Sequence, residues 1–118
     1  MADEVTIYHN PRCSKSRATL DLLRRQGIEP VIIEYLKTPP TQGELAKILD
    51  MLGMEPRELM RRKEPEYREQ GLDDPGLKKK ALIKAMHDTP KLIERPIVLT
   101  AGKAALGRPP EKVLEIIK

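Results

Sequence analysis

Apolar and polar positions along the first third of the chain predict a strand, a helix and a second strand. Residues 5–8 are a β-branched and aromatic run that ends at a turn-forming Asn-Pro pair. Residues 14–26 place apolar side chains near helical spacing, and Gly27 supplies a stop. Residues 31–33 form a second apolar run, which predicts a strand buried on both faces. The first third therefore predicts a β-α-β unit.

The middle of the chain, roughly residues 40–90, has the periodicity of helices. The sequence TQGE, which begins at Thr41, matches a capping box, and apolar residues follow it at helical spacing. Pro56 predicts the start of a short helix that runs to about Arg62. An Asp-Pro pair at Asp74 predicts the cap and first-turn proline of a longer helix. We therefore expect a helical block here.

The last part of the chain predicts two strands and a helix. Residues 97–100 and 104–106 are short apolar runs joined by a tight turn at AGK, and Pro109 or Pro110 can open a helix. The full order is β-α-β, an inserted helical block, then β-β-α. This order predicts an α/β fold of the thioredoxin-like plan, with a central mixed sheet flanked by helices. We expect one domain over residues 1–118 with the helical block as an insertion.

Composition and charge narrow the function classes. The chain has three Tyr and neither Phe nor Trp, which predicts a core of Leu, Ile, Val, Ala and Met. It has no apolar run long enough to cross a bilayer and no signal-peptide pattern, so we expect a cytoplasmic protein with no membrane partner. The net charge of +4 fits an anionic partner or simply a solvated basic surface. Because no aromatic residues interleave with the basic ones to stack bases, we do not expect nucleic-acid binding.

The single cysteine, Cys13, is the strongest candidate for chemistry. At the start of the first predicted helix, backbone amides and the helix dipole favour its thiolate. The alternative is an inert, buried small side chain, but the polar sequence SKSR that follows is an unusual place for core packing. Ser16 stands where a dithiol oxidoreductase has its second cysteine, so an outside thiol must resolve any adduct on Cys13. His9 can stabilise the thiolate or simply cap the strand end, and the sequence leaves both open.

Five separated segments carry a family resemblance that runs in register over almost the whole chain. They are IYHNPRCSKSRATLDLL, YLKTPPT, ELMRR, LIERPIV and GRPPEKVLEI. They resemble the glutaredoxin-coupled bacterial arsenate reductases, in particular the shorter arsenate-reductase-like members. The resemblance implies a thioredoxin-like fold with an inserted helical block. It also implies reduction of arsenate to arsenite with glutathione as co-substrate and glutaredoxin as partner, by a monomer with no bound cofactor and no metal.

The resemblance assigns six functional positions. They are Cys13 as the nucleophile, His9 and Ser16 beside it, and Arg61, Arg95 and Arg108 as the oxyanion-holding arginines. Guanidinium groups suit that task because they stay charged and meet tetrahedral oxyanions through paired hydrogen bonds. Considered without the family, any one of these arginines is better explained by a surface salt bridge. We further expect a cis Arg95-Pro96 bond that turns Arg95 toward Cys13.

Two other functions use the same features. A glutathione-linked thiol-transfer protein acting on mixed disulfides needs Cys13 and glutathione but not three arginines. A non-enzymatic redox regulator that binds RNA polymerase uses a Cys-x-x-Cys switch, which Ser16 removes. The electrophile can also be another oxyanion or a glutathionylated thiol.

Overall fold

Four strands form one mixed sheet in the first of two structural units. The structure, a computed structural model, describes residues 4–117; the other residues of the predicted domain, 1–3 and 118, lie outside the described residues. The first unit joins the segment up to Thr38 to the segment from Arg95 onward, and the second unit is Pro39–Glu94. The organisation as one domain remains a prediction.

The elements follow the predicted α/β order. The strands are β1 Val5–His9, β2 Val31–Glu34, β3 Ile97–Thr100 and β4 Lys103–Leu106, and the helices are α1 Ser14–Arg25, α2 Gln42–Leu52, α3 Pro56–Leu59, α4 Pro65–Glu69 and α5 Lys79–Asp88, with short 3-10 helices at Pro90–Leu92 and Pro110–Glu115. The sheet order is β2-β1-β3-β4. β1 pairs with β2 in parallel, and the other neighbours are antiparallel, so the predicted mixed sheet is confirmed. The last helix is a 3-10 helix rather than the α-helix we expected.

The core of the first unit lies around the central strands and one face of α1. Ile7, Leu23, Val98 and Val113 are fully buried there. The buried face of α1 is residues 16, 19, 20 and 23, whereas the apolar Ala18 is exposed. Small hydroxyl side chains therefore occupy the first buried turn. This is possible because their hydroxyls find hydrogen-bond partners there, as buried polar groups require.

The prediction that β2 is buried on both faces is wrong. Val31 is 44% exposed and Ile32 is 39% exposed, and the apolar Leu36 beyond the strand is also exposed. The reason is the place of β2 in the sheet: it is an edge strand, with β1 as its neighbour on one side. A continuous apolar run is typical of central parallel strands, but this one occupies an edge.

Two capping predictions in the second unit had opposite outcomes. The capping box of α2 is confirmed, because Glu44 N donates to Thr41 Oγ1 at 3.0 Å and Thr41 N donates to Glu44 Oε1 at 2.8 Å. The cap predicted at Asp74 is wrong, since α5 begins only at Lys79. The Asp74 carboxylate instead accepts the amide of Gly76, two residues on, at 2.8 Å. That local turn uses the side chain that a helix cap would need.

The backbone of the second unit also differs from prediction around its short helices. α3 ends at Leu59 rather than near Arg62, because Met60 is extended and forms a β-bridge with Ile93. α4 was not predicted at all. α2 and α5 pack against each other, and their buried side chains include Leu45, Ile48, Leu82 and Met86.

The tyrosines contradict the expectation of a purely aliphatic core. All three are buried: Tyr8 is 5% exposed, Tyr35 is 2% exposed and Tyr67 is 7% exposed.

The tight turn between β3 and β4 is confirmed, since Ala101 and Gly102 both have positive φ, as a two-residue hairpin of this kind requires. Within residues 4–117, no helix is both long and apolar enough to span a membrane.

Candidate active site

The loop between β1 and α1 holds Cys13 at the first position before the helix. Cys13 N donates to Asn10 O at 3.0 Å, and Arg17 N donates to Cys13 O at 3.0 Å, which is the first hydrogen bond of α1. Arg12 N also donates to Asn10 Oδ1 at 3.0 Å. The predicted position of Cys13 at the helix start is therefore confirmed. Its side chain stands at the end where the helix presents free amides.

The surroundings of Cys13 favour its thiolate. The side chain is 9% exposed, and this burial raises the pKa of Cys13. The backbone amides of Ser16 and Lys15, acting as hydrogen-bond donors, and the charge and hydrogen bonding of the Arg95 guanidinium lower it by more. The net result is a pKa of Cys13 below its ordinary value of 9.0. A thiolate is the form of cysteine that acts as a nucleophile.

Arg95 and Arg108 stand at neighbouring ends of two paired strands. Arg95 precedes β3 and Arg108 follows β4, and Arg108 Nη1 donates to Arg95 O at 3.2 Å. The Arg95-Pro96 bond is cis, as we predicted, and so is Arg108-Pro109. Arg108 is exposed, whereas Arg95 is partly buried. The charge and hydrogen bonding of the Arg95 guanidinium lower the pKa of Cys13. The first unit therefore places Arg95 beside Cys13 and holds Arg108 against the backbone of Arg95.

His9 and Ser16 form a buried pair behind the cysteine loop. His9 Nδ1 lies 2.6 Å from Ser16 Oγ, and Asn10 N donates to the same oxygen at 3.0 Å. Burial lowers the pKa of His9; the carboxylate of Glu34 opposes this shift, and nearby arginine charges add to it. His9 is therefore mainly neutral at pH 7. Its contact with Ser16 favours a role in holding the first turn of α1 over a role as a positive charge beside the sulfur.

Arg61 belongs to the second unit. Its backbone amide donates to Leu92 O at 2.7 Å, which is one of the two hydrogen bonds of the bridge between Met60 and Ile93. Its guanidinium forms ion pairs with two carboxylates, at 2.8 Å to Glu64 and at 3.8 Å to Glu94. These contacts explain how the side chain is held. The role of Arg61 toward an oxyanion remains a prediction.

Asn10 is the contributor that sequence reasoning missed. Asn10 shapes the loop with its amide, its carbonyl and its side chain together. The Asn-Pro pair predicted a turn here, but it did not predict that Asn10 would form hydrogen bonds to Cys13 and Ser16. Among the residues that the structure describes, no three His, Cys, Asp or Glu side chains come together as metal ligands.

Comparison with known proteins places this geometry in a family. The model of the ArsC family matches residues 8–116. The chain is 57% identical over 118 residues to the protein of Escherichia coli called Uncharacterized protein YfgD, with 99% of each chain covered. It is 50% identical over 115 residues to the arsenate reductase of Neisseria meningitidis serogroup A, covering 97% of this chain and 98% of that one.

A solved structure agrees with the fold. The arsenate reductase from Vibrio cholerae superimposes with a TM-score of 0.96 at 54% identity, over 99% of this chain and 100% of that one. This likeness confirms the fold class that the sequence predicted. Because the family model covers most of the chain and the similarity extends over nearly its whole length, the chain belongs to the ArsC family.

Proposed function

We propose that this protein reduces arsenate to arsenite through the Cys13 thiolate. One observation carries the proposal: a cysteine with a lowered pKa stands at a helix start beside an arginine, in a chain similar to proteins named arsenate reductase. An anionic nucleophile and a cationic group side by side suit an attack on an oxyanion.

The first step is substitution at arsenic. The Cys13 thiolate forms a bond to the As(V) atom of arsenate, and one arsenate oxygen leaves as water after accepting protons. Arsenic stays in the +5 state, and the product is a thiol-arsenate adduct on Cys13. A nearby cation offsets the charge that gathers on the oxygens during this attack.

The second step moves two electrons. Glutathione, as its thiolate, attacks the Cys13 sulfur, so that a sulfur-sulfur bond forms and the sulfur-arsenic bond breaks. The electron pair of that bond stays on arsenic, which leaves as arsenite in the +3 state. The two sulfurs are oxidised to a mixed disulfide. Glutaredoxin then reduces this mixed disulfide by thiol-disulfide exchange and regenerates the Cys13 thiol, because the chain has no second cysteine to do so.

The arginines act on both nucleophile and substrate in this scheme. Arg95 favours the thiolate and lies close enough to the sulfur to contact an oxyanion bound there. Arg108 donates to the Arg95 carbonyl and is exposed to solvent, and we assign it as a second oxyanion ligand. We assign Arg61 as a third oxyanion ligand on the family resemblance alone; to bind arsenate, it would exchange its ion pairs with Glu64 and Glu94.

The remaining assignments complete the proposal. His9 and Ser16 are positioning residues that hold the first turn of α1, so that the amide of Ser16 faces the sulfur. We propose that the protein acts as a monomer in the cytoplasm, with glutathione as co-substrate and no resident cofactor. Its partners in the cycle are arsenate, glutathione and glutaredoxin.

An assay with arsenate, glutathione, glutaredoxin and NADPH-linked glutathione reductase tests the proposal. We expect arsenate-dependent oxidation of NADPH together with release of arsenite, and neither with Cys13→Ser. Release of glutathione from a mixed-disulfide substrate, without any arsenate reduction, would contradict the proposal and favour the thiol-transfer function. The RNA polymerase regulator is not proposed, since the chain has one cysteine and lacks its two-thiol switch.

A further inference from the structure

Gly107, in the segment GRPP, carries out no step of the proposed reaction, yet it lies where the two arginine segments meet. We propose that Gly107 is a positioning residue whose missing side chain lets Pro96 seat the Arg95 guanidinium against Cys13. The effect of Gly107 on turnover rests on the proposed function, whereas its effect on the Cys13 thiolate does not.

The first observation is the lack of space at Gly107. A Cβ atom added there would overlap Thr19 Oγ1, and it would lie 2.8 Å from Pro96 Cγ and 3.1 Å from Thr19 Cγ2. Gly107 is buried, and its φ lies outside the left-handed region, so its backbone conformation is open to any residue. The requirement for glycine at this position is therefore steric, which is one of the standard uses of this residue.

The second observation is that neither neighbour can move away freely. Thr19 is fully buried, and its hydroxyl donates to Lys15 O at 2.9 Å. Lys15 is one of the two residues whose amides favour the Cys13 thiolate. Pro96 is buried and follows Arg95 directly. A side chain at position 107 would therefore meet the buried Thr19 on one side and push Pro96, with Arg95, on the other, because close-packed interiors transmit such displacements.

The third observation is a pair of hydrogen bonds that ties the two segments together. Gly107 N donates to Pro96 O at 3.0 Å, and the next residue, Arg108, donates from Nη1 to Arg95 O at 3.2 Å. The first bond requires close approach of the two backbones at Gly107, and the second ties the Arg108 side chain to the Arg95 backbone. These two hydrogen bonds hold the start of β3 against the end of β4, and the two arginines lie at these strand ends.

The test is the Gly107→Ala variant, with Gly43→Ala as its matched control. At Gly43 an added Cβ meets only Thr41 Oγ1, at an ordinary 3.9 Å. For Gly107→Ala we expect the pKa of Cys13 to rise, measured from thiolate absorbance and from the pH dependence of alkylation. We also expect kcat/KM for arsenate to fall, by up to about a hundredfold, which is the cost of a misplacement of roughly 1 Å. Gly43→Ala should change neither quantity.

A double variant separates positioning from general damage to the fold. If Gly107 acts through Arg95, adding Gly107→Ala to Arg95→Ala should raise the Cys13 pKa by much less than it does in the wild-type background. An equal rise in both backgrounds, or no rise in Gly107→Ala, would overturn the proposal. If Gly107→Ala raises the Cys13 pKa as expected but the wild-type protein does not reduce arsenate, the proposed function is refuted and the role of Gly107 stands.

A second comparison of two variants tests the proposal even if Gly107→Ala alone does not fold. Combining Gly107→Ala with Thr19→Ala removes the overlap with the threonine and leaves the contact with Pro96. We expect a higher Cys13 pKa in this double variant than in Thr19→Ala alone. Equal pKa values in the two would overturn the proposal.

Discussion

Cys13 owes the lowered pKa of its thiol to its neighbours. Its burial works against ionisation, and the amides of Ser16 and Lys15 with the Arg95 guanidinium reverse that effect. The two amides were predictable, because the first amides of a helix have no partner within it and lie near a residue at its start. Arg95 was not predictable from local pattern, since it is distant in sequence and only the family resemblance pointed to it.

Removing Arg95 should make Cys13 a weaker acid. Because the guanidinium lowers the pKa of Cys13, the Arg95→Ala variant should show a higher pKa, and less thiolate at neutral pH. The measurement is the pH dependence of the alkylation rate, with Arg62→Ala, an exposed arginine of the second unit, as control. An unchanged alkylation profile for Arg95→Ala would contradict the assigned contact.

Loss of Arg108 should affect turnover more than thiolate formation. Its exposed guanidinium is proposed to bind the substrate, so Arg108→Ala should reduce kcat/KM for arsenate roughly a hundredfold, the usual effect of removing one donor from an oxyanion site. Steady-state kinetics with Arg62→Ala as the control would measure this. Near-normal turnover in Arg108→Ala would contradict the substrate-binding role.

His9 should make the folded protein sensitive to mild acid. Because burial lowers its pKa below 6.5, the unfolded chain binds a proton more readily than the folded one just below that pH. The free energy of unfolding should therefore fall as pH drops from about 6.5 toward the folded pKa, by no more than about 1.4 kcal/mol per pH unit. Urea titrations should show a weaker pH dependence for His9→Gln. An identical pH dependence in variant and wild type would contradict the account.

At the level of elements, patterns that depend on local chemistry were predicted well. The capping box at Thr41 and the turn at Ala101 follow from neighbouring residues alone. The cap at Asp74 failed because the same carboxylate can serve a local turn instead. The burial of β2 failed for a different reason: an apolar run does not say whether its strand is central or at an edge, and only the pairing of the sheet decides that.

Strand position should therefore govern the cost of a polar substitution. Val31 in the edge strand β2 is 44% exposed, whereas Val98 in β3 is fully buried between β1 and β4. Val98→Thr should lower the free energy of unfolding by about 1–3 kcal/mol, because it buries a hydroxyl. Val31→Thr should stay within about 0.5 kcal/mol of wild type. Equal losses by urea denaturation would contradict the edge position of β2.

At the level of the whole molecule, the sheet assembles the site from distant parts of the chain. β1 leads into the cysteine loop, and β3 begins just after Arg95; Tyr8 and Ile97 are paired across these two strands. The strand order thus places Arg95 beside Cys13. The element order was predictable from the hydrophobic pattern. The pairing of β1 with β3 is a long-range choice that the pattern does not contain, so the resemblance was needed to predict the site.

Trapping the intermediate of the cycle tests the central claim most directly. Protein incubated with reduced glutathione and arsenate, without glutaredoxin, should gain the mass of one glutathione on Cys13 and release one arsenite per protein. Reduced glutathione alone should leave the mass unchanged, and Cys13→Ser should gain nothing. Two results would contradict arsenate reduction by the Cys13 thiolate. One is a glutathione adduct on Cys13 that forms without arsenate, and the other is the absence of both adduct and arsenite when arsenate is present.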